Sequence, residues 1–218
     1  LSPWGLSLLR LPHYKDQTLI DHYIYPSHIP PVVTIPLIQH KGRPARPCVR
    51  VGEKVRLGQK IADADGEDSL PAHASVSGEV RNIGFYPHPF LGVAEAIEIK
   101  SDGQDKLDSA IVPRKDVERL SADEILNIIR EAGVAELDDA GVPLHQKLKK
   151  AREAGVETLI VNGCESEPFV TSLHVLMMNK STEILRGIVL AEKILGVKRV
   201  IIAIEENKMN ALEVLGSK

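Results

Sequence analysis

Two cysteines, Cys48 and Cys164, are all that the 218-residue chain offers for thiol chemistry. They lie far apart and outside any C-x-x-C or Cys/His run, which excludes a disulfide-stapled scaffold and a zinc or iron–sulfur site built from this sequence. Long apolar runs are also missing. The longest, Val200 to Ile204, has five residues, against the ~18 or more that a bilayer-spanning helix needs. The chain starts at Leu1 without a charged region ahead of a long apolar stretch, so it reads as a trimmed start rather than a signal peptide, with a reducing cytoplasm as the expected setting. Charge of one sign is scarce too: 27 Lys+Arg face 30 Asp+Glu, a formal net charge of -3. Such a balance gives no general basic field, and no nucleic-acid partner is expected. What is abundant is hydrophobic residue, 43% of the chain, enough at roughly 100 to 200 residues per domain for one large core or two modest ones.

Proline draws the main boundary. Eleven of the 14 prolines lie at or before Pro89, leaving Pro113, Pro143 and Pro168 afterwards. Because proline cannot donate to a helix or a central ladder, the first part is expected to be short strands and turns. Val49 through Val51, Val55 and Leu57 to Ile61 carries apolar residues among polar ones, punctuated by Gly52 and Gly58. His73 to Val80 and Ala94 to Ile99 alternate with the period of half-buried strands. The polar stretch Lys100 to Asp108 reads as turn and linker.

From Leu120 the pattern becomes helix and strand in alternation. Ser121-Ala122-Asp123-Glu124 forms a capping box, with Ile125, Ile128 and Ile129 as the buried face and Gly133 as the stop. Val134 to Leu144 is loop, and His145 to Ala154 a short basic helix closed by Gly155. Thr158 to Val161 is a strand. Helix runs from about Thr171 to Leu195 with a break near Asn179, and Arg199 to Ile204 is a second buried strand. Strand, helix, strand at this spacing predicts a parallel sheet with crossover helices. Two strands are marginal alone, so the chain reads as truncated or as relying on a partner.

Four features invite a chemical role. The segments around Gly58 to Ala62 and His73 to Val80 resemble biotinyl and lipoyl carrier domains, but the region between them, Asp63 to Pro71, has no lysine to modify. A structural barrel-sandwich is the better reading. His13, His22, His28, His40, His73, His88, His145 and His174 form no H-x-x-x-H or H-E-x-x-H pair, and each is read as structural or surface. Gln39-His40-Lys41-Gly42 follows an apolar strand and is assigned no chemistry. The loop Ala135 to Leu144 precedes Lys147 in the manner of a phosphate cradle, but it carries one glycine and three carboxylates. Each carboxylate beside a phosphate costs on the order of 1 kcal/mol even in water. Asn162 to Phe169 follows the Thr158 strand at its C-terminal end, where open parallel sheets bind ligands. Its Glu165 and Glu167 suit ribose or flavin donors; the bland alternative is a solvated turn with Thr171 or Ser172 capping the next helix. Cys164, with no histidine near it in sequence, is read as a buried small residue.

Together these residues carry a resemblance. Pro36-Leu37-Ile38-Gln39-His40-Lys41-Gly42, then Val51-Gly52-Glu53-Lys54-Val55 through Gly58-Gln59, then His73-Ala74-Ser75-Val76-Ser77-Gly78 resemble the N-terminal barrel-sandwich domain of the C subunit of the Rnf electron-transport complex. Arg130-Glu131-Ala132-Gly133, Ala140-Gly141-Val142-Pro143 with Lys147, and Asn162 to Phe169 resemble the domain that follows it, itself similar to the NADH-oxidising flavoprotein of respiratory complex I. Soluble relatives such as cobalamin reductases share these domains.

The resemblance implies that a hydride from NADH reaches FMN and that electrons pass singly to 4Fe-4S clusters in a C-terminal module absent from this chain. It places Gly141 and Lys147 at the flavin phosphate, and Asn162, Glu165 and Glu167 near the flavin or nicotinamide nucleotide. No residue is assigned a catalytic or metal-binding role. The family loop has the form G-x-G-G-A-G-F-P-T, whereas Glu136, Asp138 and Asp139 stand at three of its glycines and Leu144 at its threonine.

The expected fold is therefore a two-domain α+β chain: a β barrel-sandwich hybrid over residues 1–112, then an incomplete α/β FMN/NADH-binding-like domain over 113–218. The expected function is an electron-transfer subunit or fragment. The alternative is a non-catalytic scaffold that docks redox partners and binds no nucleotide. Partners are other subunits of a membrane-associated redox complex, with the chain peripheral on the inner face of the membrane and lacking a span of its own.

Overall fold

The computed structural model describes residues 24, 26–114, 116–136, 141–165, 167 and 170–217. The expectations for His13, His22, Asp138, Asp139, Ser166, Pro168 and Phe169 lie outside the described residues.

Residues 27–156 with 193–196 form one compact unit, and a second is built from residues 157–192 and 197–218. The first unit holds seven strands: β1 (Val32–Pro36), β2 (Arg46–Pro47), β3 (Lys54–Val55), β4 (Lys60–Asp63), β5 (Ala72–His73), β6 (Gly78–His88) and β7 (Gly92–Ser101). They make a four-stranded sheet in the order β1-β7-β6-β3 and a three-stranded sheet in the order β2-β4-β5, all antiparallel. Register sets the core. Ile35 and Ile83 flank Ile97 across the strands, Val80 opposes Ile99, and Ile61 and Val55 belong to the same cluster. Ile83 is partly buried, and each of the other aliphatic side chains, being buried, contributes about 1.5–3 kcal/mol of transfer free energy. This is the expected barrel-sandwich.

β6 and β7 run longer than the sequence pattern indicates. Pro87 is tolerated because β6 meets β3 only at Gly78 and Glu79, so near Pro87 it has one neighbour and needs no amide on its outer edge. The segment after β7 is not a free linker. Ser77 Oγ donates to Asp102 Oδ1 (2.6 Å) and accepts from Lys106 N (2.9 Å), and Leu57 N donates to Lys106 O (2.9 Å), which ties the segment to the strands.

Two helices complete this unit. In α1 (Ala122–Glu131) Ser121 Oγ accepts from Glu124 N (3.3 Å) while Ser121 N donates to Glu124 Oε2 (2.7 Å), the capping box read from sequence. Its buried residues are Ile125 and Leu126, whereas Ile128 and Ile129 are only half-buried, so the face is rotated from the one expected. α2 is Leu144–Glu153. α1 and α2 belong to this compact unit, which runs to residue 156. The physical reason is polar contact with the strands' loops: Lys60 Nζ reaches Glu131 (3.2 Å), Arg130 donates to Gly66 O (3.0 Å) and Gln146 Nε2 to Glu67 O (2.6 Å).

Those last two bonds fall on the loop that would present a modified lysine in a carrier domain. Arg43 Nε adds a bond to Asp68 Oδ1 (2.8 Å) and Arg46 pairs with Asp65 (3.0 Å), so the loop is held from both sides. Gly42 lies against it at φ 146°, where a Cβ would overlap the Asp68 carbonyl oxygen, which makes glycine obligatory in Gln39-His40-Lys41-Gly42.

In the second unit β8 (Thr158–Asn162) and β9 (Arg199–Ala203) pair in parallel, Thr158 opposite Arg199 through Asn162 opposite Ala203. α3 (Ser172–Asn179) and α4 (Ser181–Leu195) cross between them, broken at Lys180, and α5 (Met209–Gly216) follows. Met177, Ala211 and Leu215 pack with Ile184, Leu185 and Ile204. The two strands are not the buried pair that their composition suggests. Ile160 and Ile201, directly paired, are both exposed, because a two-stranded sheet has too few neighbours to cover both faces.

Candidate functional site

The five residues expected to hold a nucleotide fall in both units, Gly141 and Lys147 in the first, Asn162, Glu165 and Glu167 in the second.

In the first unit, the loop between α1 and α2 closes on itself. Glu136 N donates to Val142 O (2.9 Å), Leu144 N donates to Val134 O (3.0 Å), and Ala135 bridges Pro143. Gly141 takes φ 54° and its carbonyl accepts from Lys41 N (2.8 Å), which docks the loop on Gln39-His40-Lys41-Gly42. Lys147 Nζ forms an ion pair with Glu136, whose side chain is largely buried.

The cation expected to meet a phosphate therefore already has a counter-ion, supplied by one of the three carboxylates that replace glycines. Asp138 and Asp139, the other two, are outside the described residues. As arranged, a phosphate at Lys147 has to displace Glu136. One carboxylate occupies its cation, and the Gly141 carbonyl is turned to a backbone amide.

Beside this loop Gln39, His40, His73, Gly133 and Ala135 help to line a cavity of about 210 Å³. His40 Nε2 accepts from Leu70 N (3.1 Å), so its proton sits on Nδ1. Burial holds the His40 and His73 imidazoles below the ordinary histidine value, with Lys60 adding to the effect at His73. His40 is thus a half-buried acceptor for a backbone donor, a structural role.

In the second unit the C-terminal end of β8 is shaped by backbone bonds. Asn162 Oδ1 accepts from Cys164 N (3.0 Å) and Gly163 N donates to Ala203 O (2.8 Å). A Cβ on Gly163 would lie 2.9 Å from that same oxygen and 3.1 Å from Met177 Sδ, so only glycine lets the two strand ends and α3 approach this closely. Glu165 Oε1 accepts from Leu173 N (2.9 Å) in the first turn of α3. Neither Thr171 nor Ser172 caps α3 through its side chain; Glu165 satisfies an early amide instead, and its charge suits the positive end of the helix.

Glu165 also pairs with Lys208, which pairs with Glu205 (3.0 Å). The Glu165 side chain is 1% exposed and that of Lys208 7%. Burial pulls the Lys208 ammonium down, but the bonds to Glu165 and Glu205 more than offset it, and its pKa stands above the ordinary lysine value. Glu165 is therefore committed within the fold, whereas Asn162 and Glu167 are exposed at the strand end. Cys164 is half-buried rather than a core residue.

Sequence reasoning missed Lys208 and Glu205. Their signal is position: Glu205-Glu206-Asn207-Lys208 follows the C-terminal end of β9, the same sheet edge from which Asn162 to Glu165 emerges.

Comparison with known proteins covers both units. Residues 9–104 match the family model of the RnfC barrel sandwich hybrid domain, and residues 129–218 that of the Nuo51 FMN-binding domain. Among curated proteins, the chain is 40% identical over 187 residues to the C subunit of a proton-translocating ferredoxin:NAD(+) oxidoreductase complex of Clostridium ljungdahlii, covering 86% of this chain and 41% of that protein. It is 35% identical over 204 residues to the C subunit of the Na(+)-translocating ferredoxin:NAD(+) oxidoreductase complex of Acetobacterium woodii, covering 94% and 46%. To the C subunit of an ion-translocating oxidoreductase complex of Pseudomonas aeruginosa it is 40% identical over 185 residues, covering 84% and 24%. The chain thus spans less than half the length of these relatives.

Proposed function

The chain is RnfC-like, an RnfC-type barrel-sandwich followed by a Nuo51-type FMN-binding domain, and from that premise we propose that it is the front end of an electron-transfer subunit. The subunit works between NADH, FMN and iron–sulfur clusters in an ion-translocating redox complex. The observation that carries this reading is the order of the two domains together with identity spread over 84–94% of the chain. The proposed sequence boundary is residue 112, and the family matches cover 9–104 and 129–218.

The proposed nucleotide residues are Gly141, Lys147, Asn162, Glu165 and Glu167, in unequal roles. Lys147 is the cation for an anionic group and Glu136 its resting counter-ion, so an incoming phosphate has to displace a carboxylate. Gly141 shapes the loop behind it. Asn162 and Glu167 offer polar groups at the end of β8, while Glu165, held by Lys208 and Leu173 N, fixes the turn that presents them.

The partners are the other subunits of the complex. No helix among the described residues is long and apolar enough to cross a membrane, and the proposed location is peripheral, at the inner face. The scaffold reading, in which the fold docks redox partners without nucleotide, draws on the Lys147–Glu136 pair, since a self-neutralised site has less to offer an anion.

Purification of the full-length protein separates the two. Flavin absorbance, or thermal protection by added FMN or NADH, is expected for the electron-transfer reading. A colourless protein protected by neither leaves the scaffold. Where flavin copurifies, Lys147→Ala is expected to weaken its retention, and unchanged retention would rule out this placement of the phosphate.

A further inference from the structure

The hairpin of β6 and β7 ends in an apolar tip. Two of the three phenylalanines of the chain, Phe85 and Phe90, lie here, and no Asp, Glu, Lys or Arg occurs from Asn82 to Ala94. Phe90 is 90% exposed and Phe85 78%, and Leu91 and Val93 are exposed with them. Pro87 pairs with Val93 and Phe85 with Glu95. Residues opposite one another, and residues two apart, share a face, so Phe85, Pro87 and Val93 lie on one side that is apolar from Phe85 up to Phe90 and Leu91 at the turn and is bounded at its base by the exposed Glu95 opposite Phe85.

The turn also hides its backbone donors. Pro87 and Pro89 have none. Phe90 N and Leu91 N both donate to His88 Nδ1, at 3.2 Å each. His88 Nε2 lies 3.1 Å from Ile38 O; a carbonyl only accepts, so the ring proton is on Nε2, leaving Nδ1 as the lone pair for the two amides. With both amides bonded inside the turn, the tip can leave water without stranding these donors. In an apolar medium an unsatisfied amide costs several kcal/mol. The tip is exposed and carries no Asp, Glu, Lys or Arg, which suits an apolar medium.

We infer that the β6–β7 tip is a membrane-contacting wedge: Phe90 and Leu91, supported by Phe85 and Val93, enter the interfacial zone of a bilayer by apolar transfer alone, without attraction to anionic headgroups. The setting rests on the membrane-complex reading above, since relatives of this chain are subunits of proton- and Na(+)-translocating complexes. The chemistry of the tip is independent of any nucleotide.

The test is flotation of the full chain with vesicles of phosphatidylcholine alone and with added phosphatidylglycerol. Binding to the neutral vesicles, unaffected by high salt, is expected. The pair Phe90→Asp and Leu91→Asp is expected to lower it tenfold or more with an unchanged far-UV circular dichroism spectrum. As a variant that keeps the tip apolar, Phe90→Trp in a Trp4→Phe background is expected to bind as the parent does and to shift its emission to the blue on adding vesicles.

Failure of the parent chain to bind neutral vesicles, binding that requires anionic lipid, or equal binding by the Asp pair each overturns the inference. If the Asp pair disrupts subunit assembly while the parent shows no vesicle binding, the tip docks a protein and the lipid assignment is wrong. Flavin content, measured on the same samples, tests the electron-transfer reading separately.

Discussion

Replacing Lys208 by Met puts the buried triad to a quantitative test. The ammonium sits between Glu165, 1% exposed, and Glu205 (3.0 Å). Methionine keeps most of the side-chain volume but leaves two carboxylates facing each other with little access to water. Removing one partner of a buried ion pair costs about 3–5 kcal/mol, because the remaining charge is uncompensated. The loss should be concentrated in the second unit, where Glu165 also holds Leu173 N at the start of α3.

The sign with pH follows from linkage. In the parent chain the Lys208 pKa is raised by its carboxylates, so its stabilisation is fully present below the lysine value of the unfolded chain. It is lost only as pH rises through the higher folded value, well above neutrality. Urea denaturation followed by circular dichroism, with hydrogen exchange at the amides of α3, reads both effects. A variant within 1 kcal/mol of the parent at neutral pH would refute the account of a buried, mutually dependent triad.

Two further outcomes are expected. Glu136→Gly restores a family glycine and frees Lys147, removing one carboxylate worth on the order of 1 kcal/mol against a phosphate after solvent screening. FMN titrated against intrinsic fluorescence should then bind about fivefold more tightly, and weaker or unchanged binding would show that Glu136 is no competitor. Second, burial holds His40, His73 and His145 below the ordinary value of 6.5. The unfolded chain therefore takes up protons first, and the first unit should lose stability as pH falls below about 6.5. His40→Asn should flatten the urea-midpoint profile between pH 7 and 5; an unaltered profile would contradict the burial assigned to His40.

Local signals in the sequence were reliable where one element decides its own conformation. The capping box of α1, the glycine stops at Gly133 and Gly155 and the break before Ser181 all follow from short-range chemistry. Tertiary contact was less legible. Whether α1 and α2 travel with the barrel depends on bonds from Arg130 and Gln146 to carbonyls more than sixty residues away, and a carbonyl leaves no mark in a sequence.

Pro87 and Pro89 disguised the length of β6, because a proline is harmless on an outer edge that only topology reveals. At the site, Glu165 looked like a ligand residue by its place after a strand. Its commitment to Lys208 depends on a residue forty-three positions later.

The clamp on the Asp63 to Pro71 loop bears on how electrons could move. In a swinging-arm enzyme, a mobile hairpin carries its cargo between stations, and rate is set by diffusion of a tether. Here Arg43, Arg46, Arg130 and Gln146 each fasten that hairpin. Grafting a lysine onto its apex would give a modifying enzyme a target that cannot leave its seat. On the electron-transfer reading proposed above, a loop fastened in this way makes the barrel a fixed mount rather than a shuttle.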